Sequence, residues 1–186
     1  QEVAVATFQI FPPPPGQKES RVFFGPPAIL LLGEGRTPPL AECDLDAFEA
    51  KWSLTLPADY RSFLLKTNGG RPVPDTFVLA GHPTQPISGV RAFLGIGAST
   101  ETEDIEVHLR EEMVGVPAPV LPIASTESVD LICLDPRQAR NVVFWDRHSY
   151  WGTQVWREEQ FFMIAPSFSD FLGRLKNLSL PPTRLP

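Results

Sequence analysis

The nearest approach in this chain to an acid–base–nucleophile set is Asp130, Asp135, Asp146 and His148, with Ser149 following. A carboxylate that orients a histidine, which in turn activates a hydroxyl, is the arrangement many hydrolases use. The run Asp146-Arg147-His148-Ser149 holds all three types, but it is also ordinary turn composition. No nucleophile elbow or paired metal-ligand motif accompanies it. Gly95-x-Gly97 lacks a following Lys-Ser/Thr pair, so the glycines are read as a strand-ending turn rather than a phosphate cradle. His82, His108 and His148 are scattered, and Cys43 and Cys133 lie in different segments without a disulfide or metal spacing. The chain is expected to be no enzyme and to need no metal or other cofactor. A small hydrolase built on Asp146 and His148 is the reading that would have to displace this one.

Charge is the sharper signal. The net charge is −6, and residues 101–130 hold eight acids against Arg110 alone, which leaves the remainder near neutrality. An acidic surface repels phosphates, so direct nucleic-acid binding is disfavoured. It suits a basic protein partner, because complementary charge speeds capture and aligns the encounter. Glu101, Glu103, Asp104, Glu106, Glu111 and Glu112 are the candidate contacts, with Trp151 as a possible aromatic anchor. The plainer reading of these acids is a solvated helix face. Trp145 and the pair Phe161-Phe162 are expected in the core, with Trp151 or Trp156 lining a groove.

These side chains need a scaffold, and 186 residues suffice for one domain with a real core plus an appendage. The 42% hydrophobic content is that of a globular protein, and the 21 prolines favour short elements. No apolar run approaches the ~20 residues that cross a bilayer, and the chain is expected in the cytoplasm. Gln1 in place of Met leaves open a processed or excised chain. Residues 1–39 read as an N-terminal extension: an extended run at 3–10, the spacer Pro12-Pro13-Pro14-Pro15-Gly16, then short extended stretches at 21–24 and 28–32. Leaving Ile29-Leu30-Leu31-Leu32 in water would be costly, which favours packing on the domain.

From residue 40 to 180 the pattern is that of a domain, with a frayed tail at 181–186. Asp44 or Asp46 can cap a helix whose Leu45, Phe48 and Trp52 share a face. Pro57 opens a second helix with Tyr60, Phe63, Leu64 and Thr67 inward, and Asn68-Gly69-Gly70 closes it. Strands are expected at 76–79, 90–96, 120–124, 129–134 and 142–145, the last two as an antiparallel hairpin. A helix at 104–113 presents Ile105, Leu109 and Met113, and Ser167 with Asp170 starts a closing helix carrying Phe168, Phe171, Leu172, Leu175 and Leu178. The sum is an α+β fold, a mainly antiparallel sheet with helices against one face.

The order of these segments resembles the SUKH superfamily, the group containing fungal cell-wall-assembly regulators and many bacterial toxin-immunity proteins. The resemblance rests on the acidic helix ending at Trp52, then Leu56-Pro57, Tyr60, Phe63-Leu64 and Asn68-Gly69-Gly70. Phe93-Leu94-Gly95, Leu121-Pro122-Ile123-Ala124, the stretch 130–135, the stretch 142–146 and Ser167 to Leu172 follow in the family's order. It departs at Ser128-Val129, where relatives often carry a glycine turn. The resemblance implies the same α+β architecture and a non-enzymatic immunity protein that binds a cognate toxin domain, such as a nuclease. The alternative it implies is a regulatory interaction module akin to the cell-wall-assembly regulators. Oligomeric state is not legible in the sequence.

Overall fold

Leu45 and Phe48 bury the inner side of the first helix, α1 (Glu42–Trp52), with Trp52 half-buried at its end. The computed structural model describes residues 23–24, 29–32, 37–111, 120–128, 130–135, 141–147 and 157–176. Ala41, not an aspartate, stands at the cap position of α1. Asp44 caps from inside the first turn instead, its Oδ2 accepting the Ala41 N–H at 2.7 Å. Ser53 ends α1 in the left-handed conformation (φ 51°).

The second helix, α2 (Ala58–Thr67), follows Pro57, whose carbonyl accepts from Arg61 N–H at 2.8 Å. Tyr60, Phe63 and Leu64 are buried as their spacing requires, while Thr67 turns its hydroxyl back to the Phe63 carbonyl at 3.0 Å. Asn68 closes α2 at φ 46°. Gly69 follows at φ 96°, and a Cβ there would stand 2.9 Å from the Phe93 carbonyl oxygen. Both the backbone angle and the crowding therefore call for glycine.

The strands make two antiparallel sheets. The smaller has the order β1 (Phe23–Phe24), β2 (Ile29–Leu32), β3 (Arg71–Val73). The larger runs in chain order through β4 (Thr76–Val78), β5 (Ile87–Phe93), β6 (Leu121–Thr126), β7 (Leu131–Asp135), β8 (Asn141–Trp145) and β9 (Phe161–Ala165). Gly70 and Phe93 bridge the two. Among the described residues the two further helices are α3 (Ile105–Glu111) and α4 (Phe168–Arg174). The α+β expectation with a mainly antiparallel sheet is met.

Among the described residues, helical side chains enter the core on one side of the large sheet. There Phe63 meets Phe93 and Phe168 edge-on, with ring centroids 5.0 and 4.9 Å apart, and Phe77 meets Phe171 at 5.4 Å. The other side is not bare. Val120, Leu131, Cys133, Val143 and Trp145 form a second buried cluster, and Phe161 stacks on Trp145 at 5.6 Å. With both faces covered, every residue of β7 is buried, which explains its unbroken apolar run.

Several bounds differ from the sequence reading. β5 begins at Ile87 and ends at Phe93: Leu94 N–H still donates to Ile123 of β6, and Gly95 N–H turns away to the Glu103 carbonyl. β6 extends to Thr126. β3 and β9 had no counterpart: Pro72 and Pro74 hide the first, and Phe161-Phe162 was read only as core. The β6–β7 hairpin forms without a glycine, Thr126 N–H and Oγ1 both donating to the Asp130 carbonyl at 3.2 and 3.1 Å. Ser167 accepts from the Asp170 N–H at 3.0 Å, so α4 starts as its capping pattern requires. The extended run at 3–10, Met113, Leu178 and the tail lie outside the described residues.

Candidate functional site

The acidic segment is carried on a short frame beside the end of β5. Leu94 N–H donates to the Ile123 carbonyl at 2.9 Å, then Gly95 N–H donates to the Glu103 carbonyl at 2.9 Å. Ile105 N–H donates back to the Gly95 carbonyl at 3.0 Å, completing a parallel bridge between Gly95 and Asp104. Between these bonds lies a 3-10 turn, Glu101–Glu103, and α3 follows directly. Ile105 is fully buried and anchors the frame in the core, while buried His108 sets its Nε2 3.2 Å from the Thr102 carbonyl.

The frame gives the candidate acids different roles. Glu101 and Glu111 are exposed. Glu103 and Asp104 are half-buried, and Asp104 Oδ1 accepts the Glu106 N–H at 2.8 Å, a cap on α3. Glu106 faces inward along the surface: its Oε1 accepts from Lys51 Nζ at 2.7 Å and from Trp52 Nε1 at 3.3 Å. Partial burial pushes its carboxyl up, but the Lys51 and Trp52 bonds and the charges of Lys51 and Arg110 outweigh this and hold it below the usual carboxylate range. Glu106 thus ties the end of α1 to α3. Glu112 and Trp151 lie outside the described residues.

A second group of acids, not singled out from the sequence, lies on α1. Arg61 of α2 reaches across to three of them, Nη2 to Glu42 Oε2 at 2.7 Å and to Asp46 Oδ1 at 2.6 Å, Nη1 to Glu49 Oε2 at 2.6 Å. Bonds to Glu42 and Asp46 push its guanidinium further up from an already high value. Three carboxylates around one cation leave this side of α1 negative as well. The pattern Glu42, Asp46, Glu49 at i, i+4 and i+7 was a readable stripe, but only the α1–α2 packing shows that one arginine gathers it.

Of the hydrolase candidates, Asp130, Asp135 and Asp146 fall within the described residues. His148 and Ser149 lie outside the described residues. Asp146 has another histidine beside it, His82 from the loop between β4 and β5, with Nε2 3.5 Å from Asp146 Oδ2. His82 packs against Phe162 at 4.5 Å and Phe144 at 5.8 Å. Its Nδ1 accepts the N–H groups of Gln85 and Thr84 at 3.0 and 3.4 Å, so the ring proton sits on Nε2 and points at the carboxylate. Held at Nδ1, the ring orients the loop between β4 and β5 beside Asp146. Buried Asp130 accepts from Ser128 Oγ and from the Arg147 N–H at 2.9 Å, which fixes the start of β7 against the end of β8. Asp135 is buried at the other end of β7.

Among the described residues no group of three or more His, Cys, Asp or Glu is placed to hold a metal ion, and no helix is long and apolar enough to cross a membrane. Cys43 is exposed and Cys133 buried, and no disulfide joins them.

Comparison with known proteins adds the family. No curated protein and no solved structure matches the chain. The family model described as SMI1 / KNR4 family (SUKH-1) matches residues 39–174, which spans α1 through α4. Immunity proteins and regulatory interaction modules that are generally non-catalytic are what such a family comprises. With most of its length inside that match, the chain belongs to the SMI1 / KNR4 family (SUKH-1).

Proposed function

We propose that this chain is a non-enzymatic immunity protein that binds a cognate toxin domain in the cytoplasm and blocks its active site. The toxin domain is basic, as a nuclease is where it grips phosphates. The observation that carries the reading is the acidic frame at residues 101–111, braced by backbone bonds to Gly95 and by the Lys51–Glu106 pair. A braced frame presents Glu101, Glu103, Asp104 and Glu111 at little ordering cost on binding. Glu106 serves as its buttress, and Glu112 and Trp151, outside the described residues, are further proposed contacts. Inhibition needs only buried complementary surface and exclusion of the toxin's substrate, so no cofactor is required.

The test is co-expression with the toxin domain encoded beside this gene. Growth is expected to be rescued by the native chain and lost again when Glu101, Glu103 and Glu111 are all changed to Lys with folding retained. Absence of any adjacent toxin gene, with slow growth on deletion, would point instead to the regulatory module.

A further inference from the structure

The region ahead of the family match contributes a strand that the family reading leaves unused. β2 reaches β3 only after α1 and α2 have intervened, and pairs with it antiparallel as Leu30↔Val73, Leu31↔Pro72 and Leu32↔Arg71. Gly70 and Phe93 exchange both backbone bonds, at 3.1 and 2.8 Å, so Gly70 turns its polar groups toward β5. Backbone direction alternates along a strand, so Arg71 and Val73 turn theirs toward β2, and Pro72 turns back toward β5. The proline without an N–H therefore sits where β2 loses nothing by it. Side chains alternate in step: Pro72 is buried between exposed Arg71 and Val73, and Ile29 and Leu31 are 1% and 3% exposed.

The outer edge of β3 thus combines two complete peptide donor–acceptor sets with an apolar slot that takes side chains two residues apart. Such an edge recognises an extended peptide by its main chain and selects it by alternate side chains. We propose that this edge is an acceptor site for an extended apolar strand, and that residues 29–32 fill it as a separable donor. Separability follows from the small number of backbone bonds that hold β2, with the burial of Ile29 and Leu31 something a matching peptide would equally supply. It pairs with β3 over three residues and with β1 over two, and no tight hairpin turn joins it to β3. The family match begins at residue 39, beyond β2. The inference does not depend on the immunity reading.

The test uses the full chain with a specific protease sequence substituted for residues 33–36, cleaved after purification. The N-terminal piece is expected to co-elute with the remainder on gel filtration. An excess of a fluorescent peptide of sequence 21–34 is expected to replace it, with a saturable rise in anisotropy. The same peptide carrying Ile29→Asp and Leu31→Asp is expected to bind at least about tenfold more weakly, since each change buries a charge. If the remainder unfolds after cleavage, restoration of its native circular dichroism by the unmodified peptide supports the site equally. Release of the piece from a folded remainder that ignores the peptide would overturn the proposal. So would a piece that stays in place through prolonged incubation with excess peptide, or an unfolded remainder the peptide does not restore.

Discussion

Asn68 and Ile96 hold each other twice: Asn68 Nδ2 donates to the Ile96 carbonyl at 3.0 Å, and Ile96 N–H donates to Asn68 Oδ1 at 2.8 Å. The same amide nitrogen donates to the Pro38 carbonyl at 2.7 Å. A side chain at a left-handed helix end here does what a third strand would do. It satisfies the backbone where the chain leaves β5, one residue beyond the Gly95 that carries the acidic frame. The Asn-Gly-Gly signature and the proposed binding segment are therefore mechanically joined.

Asn68→Ala removes all three bonds and strands part-buried backbone groups on two segments. The expected loss is about 2–4 kcal/mol, read as a lower urea midpoint at unchanged slope. Asn68→Asp should not rescue it, because a carboxylate would face the two carbonyls that the amide nitrogen now serves.

Gly95→Ala should be comparably damaging for a steric reason. An added Cβ would stand 2.4 Å from the Asn68 carbonyl oxygen and 2.6 Å from Thr37 Cγ2. Backbone has nowhere to move at such a distance, so a loss of about 2 kcal/mol or more in chemical denaturation is expected.

Tyr60 carries a buried hydroxyl that finds no hydrogen-bond partner among the described residues. Tyr60→Phe is expected to leave stability unchanged or to raise it by up to about 1 kcal/mol, because an unpaired polar atom is removed and the ring stays. Burial pushes the phenol well above its ordinary value. Its folded-state value exceeds the unfolded one, so the unfolded chain releases this proton first. Stability should fall as pH rises above about 10, and the Tyr60→Phe variant should fall less in denaturation at matched pH.

Glu106 has the opposite sign. Its carboxyl is held down in the folded protein, so its contribution is present at neutral pH and is lost as pH falls through the acidic range. Lys51 is 54% exposed, so solvent screening limits the pair to about 1 kcal/mol or less. The stability gap between the native chain and Glu106→Gln should be measurable at pH 7 and narrow only as pH falls below about 4.5 in paired urea titrations.

Legibility in the sequence followed the range of the interactions. Helix faces, the Ser167–Asp170 cap and the β7–β8 hairpin depend on neighbours a few residues apart, and periodicity and turn chemistry report those. Arg71-Pro72-Val73 conceals a strand because Pro72 within it and Pro74 after it read as breaks, and its pairing is defined by the distant β2 and by Gly70. Phe161–Ala165 shows no alternation because Phe161 packs on Trp145 while Phe162 packs on the opposite core. At the candidate site, charge alone named Glu106 as a contact, yet Lys51 and Trp52 of a distant helix make it a brace. The His82–Asp146 approach was hidden for the same reason, since no local pattern links the β4–β5 loop to the end of β8.

The central claim is tested most directly by capture of the partner on the tagged full chain from a lysate of its own host, at low and at moderate salt. The account expects one basic toxin domain to be recovered, more at low salt, and lost when Glu101, Glu103 and Glu111 are changed to Lys. Recovery of only cell-envelope or signalling proteins, or of a toxin domain indifferent to those three changes, would contradict it.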